Sequence, residues 1–288
     1  QMIERSEESS HDLKNLLTKD STIILDWDDL NSGYLNFKKI YNNLKLQDIF
    51  DSQKSPIVMK MHQQYSVSKT IKLKESGEKE ILWGHIQRSG KSYIIGGCII
   101  EDSLQKEKCN YLVVTTAPKE TIQQYLTVFD CLQLKDFNVI GLDGKNKNPK
   151  LSSKNIIVCS KQFLQGKIGE KNKSIPWLKK IVFDIRFLDE SHNGGTTELA
   201  DRTLKYYGND SFTIQITATY SKPVNSYKIE KKNWVLWDLE DIQLCKSINS
   251  EGKRERLIEK HPELERFLNE NTDQQIINEY SKYPELYV

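Results

Sequence analysis

Six short runs of β-branched and aromatic residues punctuate the middle of this chain, and stretches with helical spacing lie between them. The runs are Glu80–Trp83, Tyr111–Thr115, Phe137–Leu142, Asn155–Cys159, Lys180–Leu188 and Phe212–Thr217. Helical candidates fall at Lys91–Leu104, Lys119–Leu134, Ser160–Gly166 and Thr197–Tyr207. A strand with one wet face alternates apolar and polar residues, whereas a strand covered on both faces reads as a continuous apolar run. The alternation therefore predicts an α/β domain with a mostly parallel sheet over residues 56–240.

The flanks read differently. Residues 1–55 form an N-terminal accessory region, with a possible strand at Thr22–Leu25 and a helical spacing through Phe37, Ile40, Tyr41 and Leu44. After the Trp-bearing segment Asn233–Asp238, residues 241–288 are charged and helical, a terminal extension or a linker. No apolar run approaches the roughly 20 residues that span a bilayer, and the acidic start Gln1–Ser10 is unlike a signal peptide, so the chain reads as intracellular. The five cysteines, Cys98, Cys109, Cys131, Cys159 and Cys245, never approach metal or redox spacing and read as core residues in a reducing compartment. Lys+Arg 42 against Asp+Glu 40 is too even to mark a nucleic-acid binder by bulk charge, so such a partner must be argued from local sites.

The chemistry begins where the first run ends. Glu80–Trp83 is followed by Gly84-His85-Ile86-Gln87-Arg88-Ser89-Gly90-Lys91-Ser92 and then by an apolar helix. A strand, a tight loop closed by Gly-Lys-Ser and a helix are what a phosphate-binding loop needs, because backbone N–H groups and a helix N-terminus hold the phosphates. In that role Gln87, Arg88, Ser89 and Gly90 line the loop, Lys91 reaches the β- and γ-phosphates, and the Ser92 hydroxyl ligates magnesium. The glycine that such loops carry five positions before Gly90 is here His85, with Gly84 one residue earlier. Taken alone, the triplet also reads as a helix start with an exposed lysine.

About a hundred residues on, the run ending in Phe187-Leu188 leads into Asp189-Glu190-Ser191-His192. An aspartate at the carboxyl end of a strand can hold magnesium through water, and the next glutamate can orient the attacking water. Alone, the pair reads first as a helix N-cap with a solvated neighbour. Two half-motifs in the right order, each at the end of an expected strand, favour the nucleotide site. Asp184 and Arg186 put two charges on one face of the same run, so either they are paired or the strand is shorter than it looks. Asp184 is also a rival for the magnesium aspartate. Thr217-Ala218-Thr219, at the end of the last run, offers small hydroxyl groups to the acidic box.

Together the Gly-Lys-Ser loop, Asp189-Glu190-Ser191-His192 and Thr217-Ala218-Thr219 resemble motifs I, II and III of superfamily 2 helicases, in the first of their two RecA-like motor domains. Val113-Val114-Thr115-Thr116-Ala117-Pro118 resembles motif Ia, and Ile156–Ser160 with Gln162-Phe163-Leu164 the next nucleic-acid-facing motif. In His62-Gln63-Gln64, Gln63 resembles the upstream glutamine that reads adenine. The form of the motifs is similar to restriction-enzyme motor subunits and helicases of large DNA viruses. The resemblance implies a RecA-like P-loop fold that binds ATP with Mg2+, with Lys91, Asp189, Glu190 and His192 catalytic, Ser92 and Asp189 on the metal, and Gln63, Thr217 and Thr219 around the nucleotide. It implies movement on nucleic acid, DNA in preference to RNA, gripped by loops near Ala117-Pro118, Lys119, Gly141–Lys147 and Ser160-Lys161-Gln162 through phosphates. It also implies a second RecA-like domain carrying the transition-state arginine. No second set of alternating runs follows Leu239, which reads as an incomplete motor with weak ATP binding and poor turnover. Seven arginines, with only Arg254 and Arg256 clustered, fit a P-loop phosphotransferase lid poorly. Intact Lys91, Ser92, Asp189 and Glu190 argue against a binding module that has lost turnover.

Overall fold

The computed structural model describes residues 27–41, 54–115, 120–142, 149–164, 175–189, 206–208, 210–218 and 229–283. The chain divides into two compact units, Gln1–Ser52 and Gln53–Val288. The described residues of the first unit form one helix, α1 (Trp27–Tyr41), which covers Phe37, Ile40 and Tyr41 and begins well before them. The possible strand at Thr22–Leu25 lies outside the described residues.

The second unit is built on seven strands: β1 (Glu80–His85), β2 (Cys109–Thr115), β3 (Asn138–Leu142), β4 (Lys154–Ser160), β5 (Ile185–Leu188), β6 (Phe212–Thr217) and β7 (Trp234–Trp237). They form one sheet in the order β3-β4-β2-β5-β6-β1-β7, every neighbouring pair parallel. The α/β architecture with a RecA-like parallel sheet expected from the sequence is present.

Successive side chains of a strand point to opposite faces, which sorts each apolar run into two cores. On one face Tyr111 and Val113 of β2 pack with Trp83, Ile156, Val158, Phe187 and Ile214. Over them lie α2 (Met61–Glu75), α3 (Lys91–Ser103) and α4 (Glu120–Phe129), through side chains such as Tyr65, Ile95 and Phe129. Leu112 and Val114 face the other way, with Ile157, Cys159, Leu188, and Leu178 of the short α5 (Pro176–Lys179). Each fully buried apolar side chain contributes roughly 1.5–3 kcal/mol, so both faces must stay covered. All five cysteines are free thiols in these cores.

Three local differences from the sequence reading have physical causes. The run Lys180–Leu188 yields a strand only over Ile185–Leu188. Asp184 lies just before it, where its carboxylate meets Lys106 Nζ at 2.7 Å and accepts from the Asn110 N–H at 2.9 Å. Arg186 stays in the strand, buried, and spends its guanidinium on Thr213 Oγ1 (2.8 Å from Nη2) and the Tyr207 carbonyl (2.8 Å from Nη1). The two charges are thus satisfied by neighbours, and the strand is shorter. The helix expected over Lys119–Leu134 ends at Phe129. Cys131 is extended, and the turn after it grips the chain's entry: Leu132 N–H donates to Ser55 O, and the Gln133 amide bonds both the N–H and the carbonyl of Ile57. Finally, Asn233–Asp238 contains a strand, β7, alongside β1, with Trp234–Trp237 opposite Leu82–His85.

The chain then forms α6 (Leu239–Lys246), α7 (Lys253–Lys260), α8 (Glu265–Asn269) and α9 (Asp273–Ser281). Asp241, fully buried in α6, ties the end of α7 to it by accepting from Lys260 Nζ at 2.7 Å and His261 Nε2 at 3.0 Å. The apolar residues of these helices, among them Ile242, Leu257, Ile276 and Tyr280, join the core face that α2 and α3 cover. Among the described residues no helix is long and apolar enough to cross a membrane.

Candidate nucleotide site

In a parallel α/β sheet, ligands gather at the carboxyl ends of the strands, where the crossover loops meet. Here β5, β6 and β1 are adjacent, so Asp189, which follows β5, Thr217, which ends β6, and the loop after β1 all come to that edge. Thr217 is fully buried and lies opposite Gly84 in the β1–β6 register. Asp189 continues the β5 ladder by donating its N–H to Val114 O at 2.8 Å, and its Oδ2 accepts from the Tyr125 hydroxyl at 2.6 Å.

The loop Ile86–Gly90 is tied at both ends. Ile86 N–H donates to the Trp237 carbonyl of β7 at 2.9 Å, so the strand next to β1 fixes where the loop departs. At the far end Gly90 caps α3 with φ +81°, and its carbonyl accepts from Tyr93 N–H at 2.9 Å. The dihedral favours glycine, and a Cβ on Gly90 would also have to displace the Gln63 amide, whose Nε2 lies in its place. Arg88 has φ +64°, a left-handed conformation that costs a side-chain-bearing residue about 1–2 kcal/mol. Backbone cost of that kind is held where function needs a loop shape. Gln87 and Arg88 are exposed, Lys91 and Ser92 half-buried. The first turn of α3 carries no acidic residue, which leaves the positive pole of the helix available to an anion. Ser89 is buried, and its hydroxyl makes no hydrogen bond among the described residues, as suits a group reserved for a ligand.

Gln63 sits under the loop on α2. Its Nε2 donates to Ser89 O at 2.9 Å and its Oε1 accepts from Lys60 N–H at 2.8 Å. Beside it His62 also donates to Ser89 O, from Nε2 at 2.9 Å, while its Nδ1 accepts from the Tyr280 hydroxyl at 2.7 Å. Its ring stacks on Trp237 with centroids 5.0 Å apart. Burial drives the His62 pKa down to about 3, so the ring is neutral and the two bonds fix which nitrogen carries the proton. His85, where the usual glycine is absent, is fully buried, stacks on Trp83 and points Nε2 at Ser66 Oγ at 3.4 Å. Burial, and then the nearby His62, Lys91 and His261, hold its pKa well below the ordinary value.

Of the residues expected at the site, Gln63, Gln87, Arg88, Ser89, Gly90, Lys91, Ser92, Asp189 and Thr217 are described, and Glu190, His192 and Thr219 lie outside the described residues. Gln63, Ser89 and Gly90 come into direct contact. The rival Asp184 lies at the opposite, amino end of β5, engaged by Lys106. Among the expected nucleic-acid loops, Ala117-Pro118, Lys119 and residues 143–148 lie outside the described residues. In the Ser160-Lys161-Gln162 turn, Ser160 Oγ accepts from Phe163 N–H, Lys161 is buried and Gln162 is exposed. Sequence reasoning missed His62 as a contact of the loop, and Tyr125, Trp237 and Tyr280 altogether. Among the described residues no three His, Cys, Asp or Glu side chains gather into a metal cluster. Magnesium in phosphate sites is commonly held by one or two protein groups with the phosphates, which the pair Ser92 and Asp189 can supply.

The family profile described as "Type III restriction enzyme, res subunit" matches residues 56–222, more than half of the chain. The chain belongs to this family. Its res-subunit fold is the RecA-like motor domain of superfamily 2 helicases. No curated protein sequence matches the chain. Solved structures similar to this res-subunit domain include an ATP-dependent Type ISP restriction-modification enzyme, LlaBIII, bound to DNA (12% identity, TM-score 0.42, 55% of this chain and 12% of that one). Others are a Sulfolobus solfataricus SWI2/SNF2 ATPase core with dsDNA (13%, 0.45, 73% and 59%) and the UvsW helicase of bacteriophage T4 (14%, 0.43, 75% and 70%). The chain thus spans 12% and 59% of the length of the first two.

Proposed function

We propose that this res-subunit domain binds ATP with Mg2+ and hydrolyses it as the first motor domain of a helicase or translocase acting on nucleic acid, DNA in preference to RNA. The observation that carries the reading is the placement of a glycine-closed loop, Asp189 and Thr217 at the carboxyl ends of three adjacent strands, β1, β5 and β6. The residues present fit a nucleotide: Ser89 has a buried hydroxyl to spare, α3 presents an uncompensated positive end, and Gly90 lets the backbone approach closely.

In this reading the loop N–H groups and Lys91 hold the β- and γ-phosphates. Ser92 and Asp189 hold magnesium, which when bound offsets the charge that develops on the phosphates. Tyr125 keeps the Asp189 carboxylate oriented. Glu190 orients the attacking water, His192 is the further catalytic residue of the acidic box, and Thr217 and Thr219 serve the nucleotide. Gln63 spends one amide hydrogen and one lone pair on the chain itself, leaving one of each for the N7/N6 edge of adenine. A second RecA-like domain supplies the arginine that completes the transition state, and nucleic acid is gripped by its phosphates, hence with strong salt dependence.

The test is ATP hydrolysis with and without single- and double-stranded DNA and RNA, in the protein that also carries the second motor domain. Lys91→Ala and Glu190→Gln should each abolish the nucleic-acid-stimulated rate. Hydrolysis at the parental rate in both variants sinks the proposal.

A further inference from the structure

The loop that closes the candidate nucleotide site is shaped by residues outside it. Ser89 and Gly90 share one trans peptide, in which the carbonyl of Ser89 and the N–H of Gly90 lie in a plane and point in opposite directions. Two donors from consecutive residues of α2, His62 Nε2 and Gln63 Nε2, each reach the Ser89 carbonyl oxygen at 2.9 Å. Both lone pairs are thereby used, and the carbonyl is drawn toward α2. The Gly90 N–H is turned the other way, onto the side of the loop away from α2. An N–H at that place, one residue before a helix that starts with Lys91, belongs to the set that holds an anion at a helix start.

His62 can do this only as the tautomer that carries its proton on Nε2. The Tyr280 hydroxyl secures that state by donating to Nδ1 at 2.7 Å, and its oxygen also accepts from the His62 backbone N–H at 3.2 Å. One residue earlier on α9, Glu279 Oε1 accepts from Met61 N–H at 3.0 Å. The first two N–H groups of α2, which a helix cannot satisfy itself, are therefore capped by α9. The His62 ring is locked in plane by stacking on Trp237, whose own carbonyl holds Ile86 at the start of the loop.

We propose that His62 is a positioning residue of the phosphate loop, and that Tyr280, at the end of the C-terminal helices, sets it through an unbroken chain of hydrogen bonds from Tyr280 Oη through the His62 ring to the Ser89 carbonyl. The inference rests on the nucleotide reading and adds to it that the C-terminal helices tune phosphate affinity from the side of the loop opposite the ligand. Displacing α9 frees the His62 tautomer, lets the Ser89–Gly90 peptide rotate and loosens the grip on the β-phosphate, leaving contacts to the rest of the nucleotide in place.

The experiment measures dissociation constants for ADP and AMP on the full 288-residue chain, by competition against a fluorescent ADP analogue, beside thermal unfolding. His62→Leu and the isosteric Tyr280→Phe should each weaken ADP about five- to tenfold, the loss of one buried hydrogen bond, with AMP unchanged. His62→Gln places an amide N–H near the position of Nε2 and should recover most of the ADP affinity. Parental ADP affinity in both His62→Leu and Tyr280→Phe overturns the proposal. Equal weakening of ADP and AMP overturns it as well, because it reduces both residues to core packing. If the unaltered chain binds neither nucleotide, the nucleotide reading itself fails and takes this proposal with it, a result unlike either of the other two.

Discussion

The hydroxyl of Tyr125, on α4, donates a 2.6 Å hydrogen bond to Oδ2 of Asp189, the residue that follows β5. Both side chains are buried, so the bond lies in a low-dielectric setting where it restrains the carboxylate firmly. α4 follows Ala117-Pro118 in sequence, the segment that the resemblance to superfamily 2 helicases assigns to nucleic acid, so under the proposed function Tyr125 would tie that side of the domain to the metal ligand. Tyr125→Phe keeps the ring and its packing but removes the donor. Groups that orient a metal ligand typically carry about 10–100-fold in metal affinity or activity. The expected outcome is a magnesium concentration for half-maximal ATP hydrolysis raised about tenfold, read by titrating the metal at saturating ATP. An unchanged magnesium curve would remove Tyr125 from the site.

Two glycines with nearly the same dihedral separate strain from collision. Gly252 has φ +73° with nothing near its Cβ position, so Gly252→Ala meets only the left-handed penalty, about 1–2 kcal/mol. Gly90→Ala adds a methyl that collides with Gln63 Nε2 and must displace that amide from the Ser89 carbonyl it bonds. Chemical denaturation should find Gly90→Ala the less stable of the two, and nucleotide titration should find binding lost in Gly90→Ala alone.

Asp184 and Asp189 lie at opposite ends of β5, which makes their roles separable. Asp184→Asn gives up an ion pair with the half-exposed Lys106 and should leave nucleotide-dependent activity at the parental level. Asp189→Asn should abolish it. Hydrolysis assays with both variants decide the question, and the reverse pattern would move the metal to the other end of the strand.

The buried histidines predict how stability responds to acid. His62 has its pKa lowered from 6.5 to about 3 by burial, and His85 is lowered in the same direction by burial and its cationic neighbours. A group whose folded pKa is depressed binds protons preferentially in the unfolded chain. Its contribution is therefore fully present above pH 6.5 and declines as pH falls toward the folded value. Between about pH 6.5 and 3, His62 should steepen the loss of stability by up to about 1.4 kcal/mol per pH unit, and His85 acts in the same direction. Urea unfolding across that range should show a shallower acid limb for His62→Gln than for the parent, and an equal slope would mean that the ring is not buried in its neutral form.

Much of the fold was legible because parallel strands buried on both faces leave continuous apolar runs. Phe212–Thr217 was placed to the residue, and β2, β3 and β4 to within two. The run Lys180–Leu188 overshot because hydrophobicity alone cannot tell the turn Lys180–Asp184 from the strand it feeds. β7 escaped because Trp234–Trp237 follows no helix-period stretch in the described chain and is recognisable only by its register with Leu82–His85. At the site, the loop and Asp189 were legible because their chemistry is local in sequence. Tyr125 and Tyr280 were not: each reaches its partner across 64 and 218 residues, and a tyrosine in an amphipathic helix carries no mark of what its hydroxyl touches.

β1, the strand that launches the loop, is flanked by β6 and β7, both of which come later in the chain, and the loop's support from α9 comes later still. During synthesis the Gly-Lys-Ser segment therefore emerges long before anything can hold it in shape. Until Trp237 has left the ribosome, β1 has an open edge, and until Tyr280 follows, the Ser89 carbonyl lacks its second fixed donor. Long-range pairing of this kind is formed late. Under the proposed function, competence to hold phosphate would therefore come only once α9 has folded: a nascent chain that already carries the Gly-Lys-Ser loop, Asp189 and Thr217 still lacks the scaffold that shapes the loop.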